Sequence, residues 1–243
     1  MTGIIKAEYM KIKRTMSLKL IVIFPIIVFA MAYIFTMGMT NAYAESVWNW
    51  WYTLLLPGML AIFCNLSITR EKKIKYYNQM TLSTGRRKLM LGKIFFIGCI
   101  IFASNCIVLC GAICGGRVLT TSVPVIGAIV TVPILTLVSL WEIPLFLFLS
   151  ERFGMIVELI VCLFITVGGI IIAPTGKWIY VVSSIPMRVV CPLLHVLPNG
   201  VRCAAGDPLL DKSVILPGIA VSLIWFVIGT VLFLNWFDKR EVK

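Results

Sequence analysis

Three observations predict an all-α fold: a polytopic membrane protein with six transmembrane helices. Six apolar runs, at 18–38, 50–69, 94–116, 125–149, 155–173 and 213–234, each approach or exceed the ~20 residues a helix needs to cross ~30 Å of hydrocarbon. Short basic segments separate them. Hydrophobic residues make up 60% of the 243 and charged residues 13%, about half the ~25% of a soluble domain. In lipid a backbone must satisfy its own hydrogen bonds, so each run reads as helix and not as buried strand. One transmembrane domain, 1–243, follows.

Residues 1–17 precede the first run. Ile5, Tyr9, Ile12 and Met16 follow i, i+4, i+7, i+11 and make one apolar stripe, with Lys6, Lys13 and Arg14 turned away. That pattern predicts a short basic amphipathic elbow helix in the interface plane. Basic residues, the first run and Ala42-Tyr43-Ala44 together imitate a cleavable signal peptide. The run's ~20 residues exceed the 7–15 of a signal h-region and more spans follow, so the first helix is expected to stay. Trp48, Trp50, Trp51 and Tyr52 read as an outer aromatic belt where span two begins.

The longest loop, 70–93, interleaves polar residues with Ile74, Tyr77, Met80 and Leu82, and Gly85 breaks its helix. Exposed Tyr, Met and Leu want a groove to fill, as an amphipathic helix fills a partner's groove. A solvated charged face is the plainer alternative. In span three, Cys106, Cys110 and Cys114 share a face at i, i+4, i+8 and read as small residues for close helix packing.

Span four carries Glu142, about 12 Å from the turn at Ser150 at a rise of 1.5 Å per residue. An acid near a helix centre costs on the order of 2.5–3.5 kcal/mol on insertion scales. Pro144 lacks an amide and should leave the Leu140 carbonyl without its donor. Glu142 and Pro144 are therefore the candidates for a substrate path, against the alternative of a protonated or helix-tying Glu142. Glu158, about one turn into span five, is expected to reach the interface.

Between spans five and six, 174–212 is apolar from Trp178 to Leu197 but interrupted by Pro186, Arg188 and Pro192. A seventh crossing would move Lys239, Arg240 and Lys243 outside, against the charge rule. Broken, half-inserted helices are expected instead, covered by protein or a wet cavity. Pro198-Asn199-Gly200 supplies a turn. His195 stands alone and suggests no metal. Cys191 and Cys203 both lie on this outer side, and a bond between them is left open.

The net charge of +12 points to topology. Seventeen of the 22 Lys and Arg fall in 1–19, 70–93, the turn at Arg152 and the tail; the other side holds five, Arg117, Lys177, Arg188, Arg202 and Lys212. The positive-inside rule puts both termini and the 70–93 loop in the cytoplasm of a cell membrane, where basic residues also meet anionic lipid. Nucleic-acid binding is not expected. Nor is catalysis: the chain has no G-x-x-x-x-G-K-[ST], no H-E-x-x-H, no C-x-x-C and no G-x-S-x-G. Thr175-Gly176-Lys177 is only a fragment of the first. No cofactor is expected on this chain, and any ATPase must be another subunit.

The elbow, six spans, basic loop and broken outer helices resemble an ABC-2 type exporter permease along the whole chain. The sequence is most similar to the small permease subunits of lantibiotic-immunity transporters. Leu55-Leu56-Pro57-Gly58, Glu71-Lys72-Lys73 running to Gly92-Lys93, and Pro198-Asn199-Gly200 carry that resemblance. It implies a cytoplasmic ABC ATPase, a dimer holding ATP and Mg, and a second permease subunit, identical or different. It also implies that a cationic lanthionine peptide is expelled from the membrane in self-protection. Segment 74–84 would be the coupling helix, with Ile74, Tyr77, Met80, Thr81, Leu82 and Ser83 facing the ATPase. Another amphipathic or lipid-like cargo, or a non-transporting scaffold or sensor, stays open. A membrane-embedded enzyme is disfavoured, because no paired carboxylates or metal ligands meet in one loop.

Overall fold

The computed structural model describes residues 2–36, 42–76, 85–119, 123–204 and 206–239. Among them every regular element is helical, and one isolated bridge pairs Val196 with Arg202. α1 (Thr2–Ile12) leads into α2 (Met16–Phe35); α3 (Tyr43–Trp50) runs through a π turn (Trp51–Leu55) into α4 (Leu56–Lys73). Then follow α5 (Arg86–Val118), α6 (Val125–Ser139), α7 (Glu142–Arg152), α8 (Met155–Ile172), α9 (Ile185–Leu194) and α10 (Ile215–Asp238). Five stretches are long and apolar enough to span a bilayer, and α6 with α7, bent by 44°, makes a sixth, broken span. The end carrying α1 is the basic end, and the end carrying α9 the re-entrant end.

The π turn lies just ahead of Pro57, which has no amide to continue the helix ladder. The Leu56 amide bonds to the Trp51 carbonyl, five residues back, and the extra residue turns the aromatic cluster inward. Trp48, Trp51 and Tyr52 are buried, so they form core and not an interfacial belt; only Trp50 stays half-buried. Trp51 Nε1 donates to Asn105 Oδ1 at 2.8 Å, and Asn105 Nδ2 to Thr136 Oγ1 at 3.0 Å. This polar chain joins the π turn, α5 and α6 inside the bundle, where each donor needs a partner.

Close packing on α5 falls to glycines and not to the cysteine row. Cys110 and Cys114 are exposed, whereas a Cβ on Gly111 would meet Phe29 at 2.0 Å and one on Gly115 would meet Tyr43 at 2.4 Å. Tyr43 and Ala44, inside the sequence that imitates a cleavage site, are buried in the first turn of α3.

The re-entrant end follows the same logic. Two 3-10 turns, Trp178–Tyr180 and Val182–Ser184, lead into α9, all of whose residues are buried. A Cβ on Gly127 of α6 would stand 1.9 Å from the Leu193 carbonyl oxygen, one on Gly169 of α8 2.6 Å from that of Ser183, and one on Gly218 of α10 2.5 Å from Val189. Three helices give up a side chain to hold one broken segment. The Arg188 guanidinium, which interrupts the apolar run, donates from Nη1 to the Leu209 carbonyl at 2.7 Å. His195, exposed, ends α9 in the left-handed region at φ 58.

Candidate functional site

The basic end carries a buried ion cluster built from three helices. Lys93 at the start of α5 is 3% exposed and uses all three ammonium hydrogens: Nζ lies 3.1 Å from Glu8 Oε2, 3.3 Å from Glu71 Oε1 and 2.8 Å from Ser67 Oγ. Lys11 Nζ closes the ring, 2.6 Å from Glu8 Oε1 and 2.7 Å from Glu71 Oε1. Burial works against the Lys11 ammonium, but the two carboxylates outweigh it and hold its pKa above the ordinary lysine range. Arg70 donates to the Lys11 carbonyl at 3.0 Å and to Ser17 Oγ at 2.9 Å. Gly92 lets α1 come this close, since a Cβ there would meet Ile4 at 2.4 Å. The elbow thus turns Glu8 and Ile12 inward, while Tyr9 and Met16 of the expected stripe are exposed.

Both edges of the 77–84 segment are anchored nearby. On the α4 side, Lys72 Nζ caps α7 through the carbonyls of Ser150 at 3.2 Å and Glu151 at 2.8 Å. Lys75 and Tyr76 adopt positive φ, 48° and 55°, a costly conformation for residues with a Cβ. It aims the buried Tyr76 ring edge-on at Phe237, with its hydroxyl donating to Glu151 Oε2. On the α5 side, Arg87 bonds Asp238 and Asn235 at the end of α10. The residues on its two sides are therefore held by α7 and α10.

Of the coupling residues expected from the sequence, Ile74 is described: it follows the last turn of α4 and is 44% exposed. Tyr77, Met80, Thr81, Leu82 and Ser83 lie outside the described residues. The structure places Glu142 and Pro144 together, buried in the first turn of α7 immediately after the 44° bend. The expected orphan at Leu140 is absent, because the Ile143 amide donates to the Leu140 carbonyl at 3.1 Å. The helix has already broken before Pro144 could withhold its donor.

Glu142 Oε2 is buried without a hydrogen-bond partner. The residue lines a cavity of about 10 Å³ with Tyr52, Thr166, Ser183, Pro186 and Met187, roughly room for one water. The cavity joins the broken span to the re-entrant segment. Glu158 does not reach the interface as expected: it is fully buried and accepts from Ser150 Oγ at 2.6 Å. That bond straddles the turn at Gly154, whose φ of 85° suits glycine.

Sequence reasoning missed Glu8, Lys93, Glu151 and Glu158 as site residues. A signal was present: the chain has only ten acidic residues against 22 basic ones, and acids embedded in basic segments are natural partners for them. No group of three metal-ligating side chains occurs among the described residues.

A family model described as ABC-2 family transporter protein matches residues 4–169, well over half of the chain. No curated protein and no solved structure matches it. The matched stretch takes in the elbow, the ion cluster, the segment between α4 and α5 and Glu142. The protein belongs to the ABC-2 transporter family, as a multi-pass membrane permease subunit that works with an ABC ATPase.

Proposed function

We propose that the chain is the permease of an ABC exporter that expels a lantibiotic, or a similar cationic amphipathic peptide, from the membrane for self-protection. The observation that carries this reading is the bare carboxylate of Glu142 at a break in span four, lining a cavity that meets the re-entrant segment. A carboxylate held out of water attracts a cationic side chain strongly, since little solvent screens it. At about 10 Å³ the cavity is too small for a peptide side chain, so the re-entrant segment must shift for cargo to pass. A peptide already in the outer leaflet needs only a lateral route, past α9. The basic end faces the cytoplasm in this reading, with both termini inside. The second permease subunit, identical or different, completes the path.

The test is Glu142→Gln, which keeps shape and removes charge. Peptide sensitivity should rise while membrane abundance and assembly stay at wild-type level. Wild-type protection with wild-type abundance would overturn the substrate role. Lowered abundance would make Glu142 a helix tie. A lipid-like cargo would leave peptide sensitivity untouched and shift lipid export instead.

The same reading assigns 74–84 to the ATPase contact, through Ile74, Tyr77, Met80, Thr81, Leu82 and Ser83. Burying each apolar side chain would contribute roughly 1.5–3 kcal/mol. Leu82→Asp and Tyr77→Ala should therefore reduce co-purification of the ATPase and its ATP turnover. Undiminished recovery would place the dock elsewhere.

A further inference from the structure

The re-entrant end holds the one sulfur–sulfur contact among the described residues. Cys191 Sγ and Cys203 Sγ lie 3.7 Å apart, Cys191 buried in the last turn of α9 and Cys203 half-buried on the strand-like return. The backbone brings them together by itself. The Cys203 amide donates to the His195 carbonyl at 2.9 Å, Leu197 to Val201 at 2.7 Å and Gly200 to Leu197 at 2.8 Å, with Gly200 at φ 84. These bonds fold 195–203 into a tight hairpin. The hairpin is in turn held to α3, where Asn49 Nδ2 donates to the Pro198 carbonyl at 3.0 Å and Glu45 lies 3.4 Å from Arg202.

We propose that Cys191 and Cys203 form a disulfide that locks this hairpin to the end of α9. The proposal rests on the reading that the re-entrant end faces the oxidising exterior. The chemistry is thiol–disulfide exchange with an extracytoplasmic dithiol oxidoreductase in its disulfide form. The thiolate of Cys203, the more accessible sulfur, attacks that disulfide and displaces one of its thiolates, giving a mixed disulfide. The thiolate of Cys191 then attacks Cys203 Sγ and displaces the second. One Sγ–Sγ bond forms, the oxidant's S–S bond is reduced to two thiols, and the two protons lost by the cysteines end on those thiols. Because native backbone bonds already hold the sulfurs in contact, the second step needs no search through open loop conformations. The bond makes α9, the hairpin and α3 one body, so any opening of the Glu142 cavity must move them together.

The experiment uses the full-length protein in native membranes, carrying Gly176→Cys as a reporter of side. A Cβ at Gly176 meets nothing within 4 Å. Intact cells are treated with an impermeant maleimide; denatured protein is then alkylated before and after reduction, and unreduced peptides are weighed. The expected result is surface labelling of Gly176→Cys, and alkylation of Cys191 and Cys203 only after reduction. The joined peptide should be two hydrogens lighter than the free pair. Surface labelling of the reporter together with alkylation of Cys203 before reduction would overturn the disulfide and leave the orientation standing. A reporter that labels only in permeabilised cells would overturn the orientation, and the disulfide with it. Cys203→Ser should free Cys191 for alkylation without reductant; a Cys191 that stays blocked would show a different partner and overturn the pairing.

Discussion

At the basic end, the buried Glu8 and Glu71 lie against Lys11 and Lys93, and Glu151 against Lys72 and Tyr76. Deeper in the bundle Glu142, and beside the α7–α8 turn Glu158, are also buried and meet no lysine or arginine among the described residues. The two regions use the same side chain under opposite rules. A buried carboxylate with its cation and hydrogen bonds is architecture: it fixes which helix ends meet, and its desolvation cost is largely offset. A buried carboxylate without a cation leaves that cost standing. A bare acid at a helix break beside a cavity is therefore a candidate functional residue. A chain of net charge +12 buries Glu8, Glu45, Glu71, Glu142, Glu151 and Glu158 out of its ten acids, which makes each placement informative.

The comparison breaks most sharply at Lys93. Lys93→Met keeps the length of the side chain and removes the ammonium that Glu8, Glu71 and Ser67 share. With Lys11 left alone to balance Glu8 and Glu71, one buried negative charge goes uncompensated, and breaking a buried pair costs about 3–5 kcal/mol, a large part of a domain's total stability. Membrane abundance and the thermal midpoint of the solubilised permease should both fall steeply. Glu8→Gln in the same background should restore part of the loss, because one stranded carboxylate is gone. Wild-type abundance in Lys93→Met would remove the cluster from the architecture.

Next comes the re-entrant end, where α9 is seated on its neighbouring helices mainly by shape. Gly127→Ala places a Cβ about where the Leu193 carbonyl oxygen sits, 1.9 Å away, and backbone on both sides leaves little room to relax. Overpacking of this kind costs typically about 1–3 kcal/mol. Gly168→Ala, where nothing lies within 4 Å, is the matched control and should not lower the midpoint, since Ala is the better helix former. Equal midpoints for the two variants would show that α9 is not seated on α6 as described.

What could be read from the sequence follows from the range of each physical signal. The six spans were legible because hydropathy over ~20 residues is a local sum, and the broken segment because Pro186, Arg188 and Pro192 interrupt it locally. The fate of Trp48 and Trp51 was not, since one π turn ahead of Pro57 rotates them from the rim into the core. Glycine notches escaped notice for the same reason: Gly127 and Leu193 are far apart in sequence, and only the fold brings them together. The site was half legible. A bare acid in an apolar run, Glu142, announces itself, whereas Glu8 and Lys93 looked like ordinary members of basic segments until 85 residues of separation closed to 3.1 Å.

The smallest expected effect lies at the surface of the basic end, where Arg87 pairs with Asp238. Arg87 is the anchor on the α5 side of the 77–84 segment, but its side chain is 58% exposed, so water and salt screen the pair. Exposed ion pairs contribute about 0.2–1 kcal/mol. Asp238→Asn should therefore lower the thermal midpoint only slightly, and the difference should vanish in about 1 M salt, where the screening length drops to ~3 Å. Lys93→Met should keep its defect under the same conditions, because its partners are buried. Measuring both midpoints at low and high salt separates the two kinds of contact at one end of the molecule. A salt-resistant defect in Asp238→Asn would mean that the Arg87 anchor is shielded, and that the start of α5 is held to α10 as firmly as Lys72 and Tyr76 hold the end of α4 to its neighbours.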